Sequence, residues 1–390
     1  MILGIDAFNI QTGGGVTHLT ELLGAADPLA HGFQRVFIWS SVKTLERICD
    51  REWLIKASDP LLNQGLPYRV YWNRFRQRKL ASETNCDVVF LPGGSNESGF
   101  SPTVTMSQNL LPFEWGELSR YGCDPYTIKL LFLRWTQCRT FQKSNGVIFL
   151  TNYARKVVTQ VTGELRGECP IIPHGINPRF MKPPRLQRPL SDFTESRPCR
   201  VLYVSIVDVY KHQWHVAEAV AMLRDENIPI VLELVGPPAK GIERLRRTME
   251  RLDPTGTFLF HRGAVPYEDL DNTYTTADIC VFASSCENMP NILLEGMAAG
   301  LPMACSRMGP MPEVLGDAGV YFEPEDTRSI AQALRELINS CDLRARLAQA
   351  AFGRARSYSW KRCADDTFEF FARIARGACP EGMDEKLRSQ

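Results

Sequence analysis

Short apolar runs of five to eight residues recur along the chain. They are MILGIDAF (1–8), RVFIW (35–39), DVVFLP (87–92), TVTMSQ (103–108), GVIFLT (146–151), RVLYVS (200–205), IVLELVG (230–236), TFLFHRG (257–263) and ICVFAS (279–284). Many of their residues are β-branched or aromatic, so they read as buried strands. Between them, helical patterns occupy 16–24, 125–142, 152–161, 212–225, 241–252, 266–276 and 291–299. From 327 onward the chain is helical. Strands alternating with helices predict βαβ units and parallel sheets, an α/β fold.

The alternation breaks over 177–199, where five prolines and five Lys or Arg side chains leave almost no periodicity. That stretch reads as a linker. At 390 residues the chain exceeds one ordinary core. The expected organisation is a doubly wound domain over 1–176, the linker at 177–199 and a second such domain over 200–365. A C-terminal helix from 366 would cross back to the first domain, with a frayed tail at 381–390. The carboxyl edges of the two sheets would border a cleft.

The chemistry concentrates in CENMPNILLEGMAAGLP (286–302), which carries Glu287 and Glu295. The run before it is a strand, Pro290 sits at a first helical position with Asn288 as a possible cap, and Gly300 and Pro302 end the helix. Glu287 therefore lies at the carboxyl end of a strand, where open α/β sheets bind ligands. The helix start at Asn291 and Ile292 offers N–H groups to an anion. Glu295, about a turn further in, can reach back. Two acids flanking an anion site suit a phosphate that bears hydroxyl-rich groups on both sides, as a sugar nucleotide does. The same acids would also favour the helix dipole with no ligand present.

Other strand ends add candidates. TGGG (12–15) follows the first strand and opens a helix near Val16, so Gly14 and Gly15 allow an anionic ligand to approach, or simply make a tight turn. Lys211 follows the strand that ends at Ser205 and can meet a phosphate as a mobile point charge. Gly263 and Val265 can face a base with backbone groups. Asn109 and Glu114, in SQNLLPFEW, are candidates on the acceptor side, as is His174 in PIIPHGI. Two segments mix basic and aromatic residues, YRVYWNRFRQRK (68–79) and YTIKLLFLRWTQCRTFQK (126–143). The second is either a helix with its apolar side on the core or a surface for an anionic membrane.

Composition narrows the classes. A net charge of +1 gives no bulk case for nucleic acid. MILGIDAFNI lacks a basic region and a long apolar core, so it reads as a strand and not as a signal peptide. No apolar run is long enough to span a bilayer. Twelve scattered cysteines without a C-x-x-C pair point to a reducing compartment, the cytoplasm, with most of them buried as small hydrophobes. His212 and His215 have metal-ligand spacing but no third ligand nearby, so no metal is expected.

Taken together, GGG, SQNLLPFE, VIFLTNYARKVV, IIPHGI, VLYVS with YKH, LELVG, FHRGAVPYEDL, YTTADICVFAS, CENMPNILLEGMAAGLPMACS and PMPEVLGDAGVYFEP resemble glycosyltransferase family 4, retaining enzymes of the GT-B fold. Glu287 and Glu295 match that family's pair of glutamates. The resemblance implies two Rossmann-like domains, a nucleotide-diphosphate sugar as co-substrate, no cofactor and no metal. It implies that Glu287 meets the donor sugar and Glu295 the ribose. Asn291 and Ile292 amides, Ser205, Lys211, Gly14 and Gly15 would surround the diphosphate, and Asn109 would lie by the reacting groups. The implied acceptor is a glycan or glycolipid of a bacterial surface polysaccharide. The sequence departs from the family at Ile206, where an arginine is usual, and at Ser205, where a glycine is common. Rival readings are a sugar-nucleotide epimerase or phosphorylase on the same fold, or an inactive assembly subunit.

Overall fold

The computed structural model describes residues 1–377. The tail expected at 381–390 lies outside the described residues. The chain divides into two compact units. The first comprises 1–113, 125–175 and the segment from Ser359 onward; the second comprises 114–124 and 176–358.

The first unit holds strands β1 (Ile2–Asp6), β2 (Arg35–Trp39), β3 (Leu54–Ala57), β4 (Val88–Leu91), β5 (Thr103–Met106) and β6 (Gly146–Ile148). They pair in parallel in the order β3-β2-β1-β4-β5-β6. The second holds β7 (Cys199–Val204), β8 (Ile230–Val235), β9 (Leu259–His261), β10 (Ile279–Phe282), β11 (Met303–Ser306) and β12 (Gly319–Phe322), in the order β12-β11-β10-β7-β8-β9. All its pairs are parallel too. The central strands are buried along their whole length, as expected where helices cover both faces. Each sheet is doubly wound and reverses direction once, between β1 and β4 and between β7 and β10, where such folds hold ligands.

Three boundaries differ from the sequence reading. Residues 177–199 do not hang free as a linker but lie along the second unit: Lys182 N donates to Ala298 O at 2.9 Å, and Arg188 pairs with Asp278 at 2.7 Å. Prolines erased the periodicity while hydrogen bonds to neighbouring elements fixed the path. The last helix, Trp360–Gly377, begins six residues before 366. It packs within the first unit, where Phe371 lies 4.8 Å from Phe90 and Phe368 stacks edge-on with Phe33 at 6.0 Å. Residues 114–124, expected in the first domain, cluster with the second unit, whose loops they bind.

Candidate active site

In the second unit, the carboxyl ends of β7, β8, β9 and β10 gather most of the candidates. After β7 the chain passes Ser205, whose Oγ donates to the Ile206 carbonyl at 3.0 Å. Gly236, at φ 150°, follows β8 so closely that a Cβ there would meet Ser205 O at 1.9 Å. Gly236 N donates to Gly263 O at 2.8 Å, which brings the end of β9 alongside. Gly263 has φ 72°, and Val265 follows it half-buried. Ser205, Gly236 and Gly263 thus line one edge.

Lys211 closes a short 3-10 turn, Val209–Lys211, whose first amide is held by the Asp208 carboxylate at 2.8 Å. Its side chain is buried, and its ammonium contacts Glu287 Oε1. The ammonium also faces the Tyr210 and Phe282 rings at 4.9 and 5.3 Å. The Tyr203 hydroxyl donates to Lys211 O at 2.7 Å and pins the turn. The switch point therefore joins Lys211 from the β7 loop to Glu287 from the β10 loop, 76 residues apart in sequence.

The next helix is Asn291–Ala298, with Pro290 as its N-cap and no side chain capping it. Asn288 does not serve as the cap, and Pro290 sits one position before the first turn. The Asn291 amide donates to Met289 O at 3.0 Å, so in this arrangement it is already engaged. The Ile292 amide follows in the first turn. Glu295 is 4% exposed, and its carboxylate accepts from the Tyr274 hydroxyl at 2.9 Å. Burial pushes its pKa up to about 7, against the Tyr274 hydrogen bond and the Arg179 guanidinium. Arg179 itself lies 4.0 Å from the Tyr267 ring.

A second layer supports the Glu287 loop. The Glu117 carboxylate accepts from Ser285 Oγ at 2.8 Å, and His212 Nε2 lies 2.9 Å from the same hydroxyl. Burial drives the His212 pKa down to about 3, so the ring is neutral. With Ser285 donating to Glu117, His212 must donate at Nε2. Arg120 binds Glu117 at 2.8 Å and Glu325 at 2.9 Å, and the Tyr121 hydroxyl reaches Asp208 at 3.1 Å. Glu114 touches the Cys286 thiol. Glu117, Asp208 and Ser285 escaped the sequence reading, and His212 was weighed there only as half of a metal pair, because no local pattern marks partners this far apart. His212 stands at φ 53°, a left-handed conformation unusual for a non-glycine residue.

Ile206 is partly exposed and offers no charge where the resemblance expected an arginine. A cavity of about 380 Å³ opens beside Val209, and Arg120, Lys240 and Arg244 line it together with Glu325. His212 and His215 stack at 5.5 Å, and His215 Nδ1 lies 3.2 Å from Pro324 O. Among the described residues, no three His, Cys, Asp or Glu side chains gather as a metal site needs.

In the first unit, the helix Gly14–Ala25 starts two residues before Val16, with Gly13 as N-cap at φ 68°. Gly14 and Gly15 are therefore its first turn and not a loop before it. A Cβ on Gly15 would come 3.1 Å from Gln108 Oε1, so this turn lies against the loop after β5. Asn109 is exposed, and its side chain accepts from Leu111 N at 3.1 Å. His174 is buried in a stack with His18 at 4.6 Å and Trp360 at 5.4 Å. That packing removes it from the acceptor-side candidates. His18, also fully buried, is held neutral by desolvation and by its neighbour His174.

Residues 193–354 match the family model described as Glycosyl transferases group 1. The O-antigen chain mannosyltransferase B of Escherichia coli is 31% identical over 109 residues, 28% of this chain and 29% of that protein. Alignments with the curated relatives span 29–43% of their lengths, less than half. Sucrose-phosphate synthase from Thermosynechococcus elongatus superposes with a TM-score of 0.76 at 16% identity, over 97% of this chain and 100% of that one. HepE from Anabaena, solved with UDP-glucose, gives 0.70 at 15% identity, over 96% and 100%. The two parallel-sheet units are those of the GT-B fold.

Proposed function

We propose that the chain, whose residues 193–354 are a glycosyl transferases group 1 domain, is a retaining glycosyltransferase of family 4. It moves a hexose-type sugar from a nucleotide diphosphate to a glycan or lipid-linked acceptor. The observation that carries this reading is the meeting of Lys211 and Glu287 at the switch point of the second sheet, with Glu295 in the helix that follows.

The chemistry follows from charge. An incoming diphosphate competes with Glu287 for the Lys211 ammonium and frees the carboxylate for the donor sugar. As the glycosidic bond breaks, negative charge grows on the departing diphosphate, and Lys211 with the helix start stabilises it there. Glu295, protonated near neutral pH, can both donate to and accept from ribose hydroxyls. Val265 and the Gly263 backbone would border the base. In the first unit, the first-turn amides of Gly14 and Gly15 are candidates for an anion and Asn109 for the acceptor; in the second, Glu114 is a candidate for the acceptor. The mannosyltransferase relative's name and the UDP-glucose in HepE support a sugar nucleotide donor and a surface-polysaccharide product.

A thermal-shift panel with UDP, GDP, dTDP, ADP and CMP tests this. One nucleotide at about a hundred times its dissociation constant should add about 2.7 kcal/mol to stability. Glu295→Ala should abolish that response and the transfer activity. An unchanged response in the variant would remove Glu295 from the donor site.

A further inference from the structure

Two helices of the first unit carry apolar residues on their outer side as well as their inner one. In Pro125–Lys143 the buried positions are Leu130, Thr136, Gln137, Thr140 and Phe141. Ile128, Leu131, Phe132 and Trp135 stand exposed at 69, 39, 62 and 52%. Their spacing is i, i+3, i+4, i+7, a single helix stripe. In Leu66–Phe75, Trp72 and Asn73 turn inward, while Tyr68, Tyr71 and Phe75 are exposed by half or more. The helix 126–143 therefore has both a core side, with Leu130 and Phe141, and a second apolar stripe that faces out. Soluble surfaces rarely leave such stripes bare without an occupant.

The two stripes share one side of the sheet. The crossovers from β3 to β4 and from β5 to β6 run in the same direction along the strand order, and right-handed connections put both on one face. One loop ties them together: Asn96 N donates to Thr140 Oγ1 at 2.9 Å, and Glu97 N to Asn73 Oδ1 at 2.8 Å.

Charge identifies the occupant. Residues 66–79 hold five Arg or Lys and 125–143 hold four, with no Asp or Glu in either, in a chain of net charge +1. Arg76 pairs with Asp59, Lys79 with Glu83 and Arg74 approaches Glu97. Arg139 lies over the Trp135 ring at 4.8 Å and Lys129 near Tyr126 at 6.0 Å, so cations flank the apolar stripe itself. We propose that this face docks on an anionic lipid surface, with the aromatic stripe entering the boundary and the cations meeting lipid phosphates. A second copy fits poorly, because a two-fold contact would set these cations against themselves.

The test is co-sedimentation of the full chain with phosphatidylcholine vesicles, with and without phosphatidylglycerol. Binding should require phosphatidylglycerol and weaken as salt rises. Phe132→Ser with Trp135→Ser should lower partitioning about tenfold, since buried apolar area drives insertion. The variant's nucleotide-induced thermal shift should stay intact, because no residue of the proposed donor site lies on these helices. Equal binding to both vesicle types, or none to either, would overturn the proposal. So would a concentration-dependent dimer in sedimentation velocity that the double variant dissolves.

Discussion

Glu295 is the residue whose environment makes the sharpest demand. Its carboxyl titrates near 7 in the folded chain, against 4.5 for a free glutamate. Between those values the folded state holds the extra proton, so stability falls as pH rises from about 4.5 through about 7. At about 1.4 kcal/mol per unit, ionising it in place costs on the order of 3 kcal/mol. Asp6, buried in the first unit and pushed up to about 7 by desolvation, adds a second loss of the same sign. Glu295→Gln keeps an acceptor for the Tyr274 hydroxyl but cannot ionise. Chemical denaturation at pH 5 and pH 8 should show a smaller fall for that variant than for the wild type, and equal falls would refute the assignment. Lys211 and Glu287 were legible in the sequence, because each follows an apolar run and strand ends are where such sheets bind ligands. Their direct contact was not legible, since it depends on β7 and β10 being neighbours at the reversal of strand order. Nor was the burial of His174, which rests on Trp360 far along the chain.

At the scale of elements, the segment 114–124 acts as a strap that fixes the loop bearing Glu287. The network runs from His212 through Ser285 and Glu117 to Arg120. Ser285→Ala and Glu117→Gln should each destabilise by about 1–3 kcal/mol, because each strands a buried polar partner. Measured together they should couple by about 1 kcal/mol, and strict additivity would mean the strap does not act through Ser285. Transfer rate should fall in both variants while nucleotide binding changes little. Elements with long apolar runs were readable in advance. β3 (LIKA), β11 (MACS) and β12 (GVYF) were passed over because four residues apiece, some poor in β-branched side chains, give too short a pattern. The Leu66–Phe75 helix was hidden because apolar residues stand on both of its sides, Trp72 inward and Tyr68, Tyr71 and Phe75 outward, so no single core stripe stood out.

For the whole molecule, the doubly wound class and the near-even division of strands followed from the alternation of patterns. The assignment of segments to units did not, because it depends on long-range contacts. The helix Trp360–Gly377 supplies Phe368, Phe370 and Phe371 to the first unit, and all three are buried. A Cβ on Gly146 would strike the Phe370 ring at 2.4 Å, so β6 is shaped to this helix. Three fully buried phenylalanines contribute roughly 1.5–3 kcal/mol each. A chain ended after Tyr358 should therefore lose the cooperative unfolding of its first unit, as read by hydrogen exchange on β4 and β5. Full protection there would show the helix to be dispensable.

The same helix sets an order of events during synthesis. The strands of the first unit leave the ribosome early, but the side chains that cover Phe90 and fill the space over Gly146 are translated only after the whole second unit. For more than two hundred residues of elongation, that face must wait uncovered while the second unit, complete by Tyr358, can already close. The nascent chain thus finishes its middle before its beginning, and the face over Phe90 and Gly146 stays uncovered until the helix Trp360–Gly377 has been made.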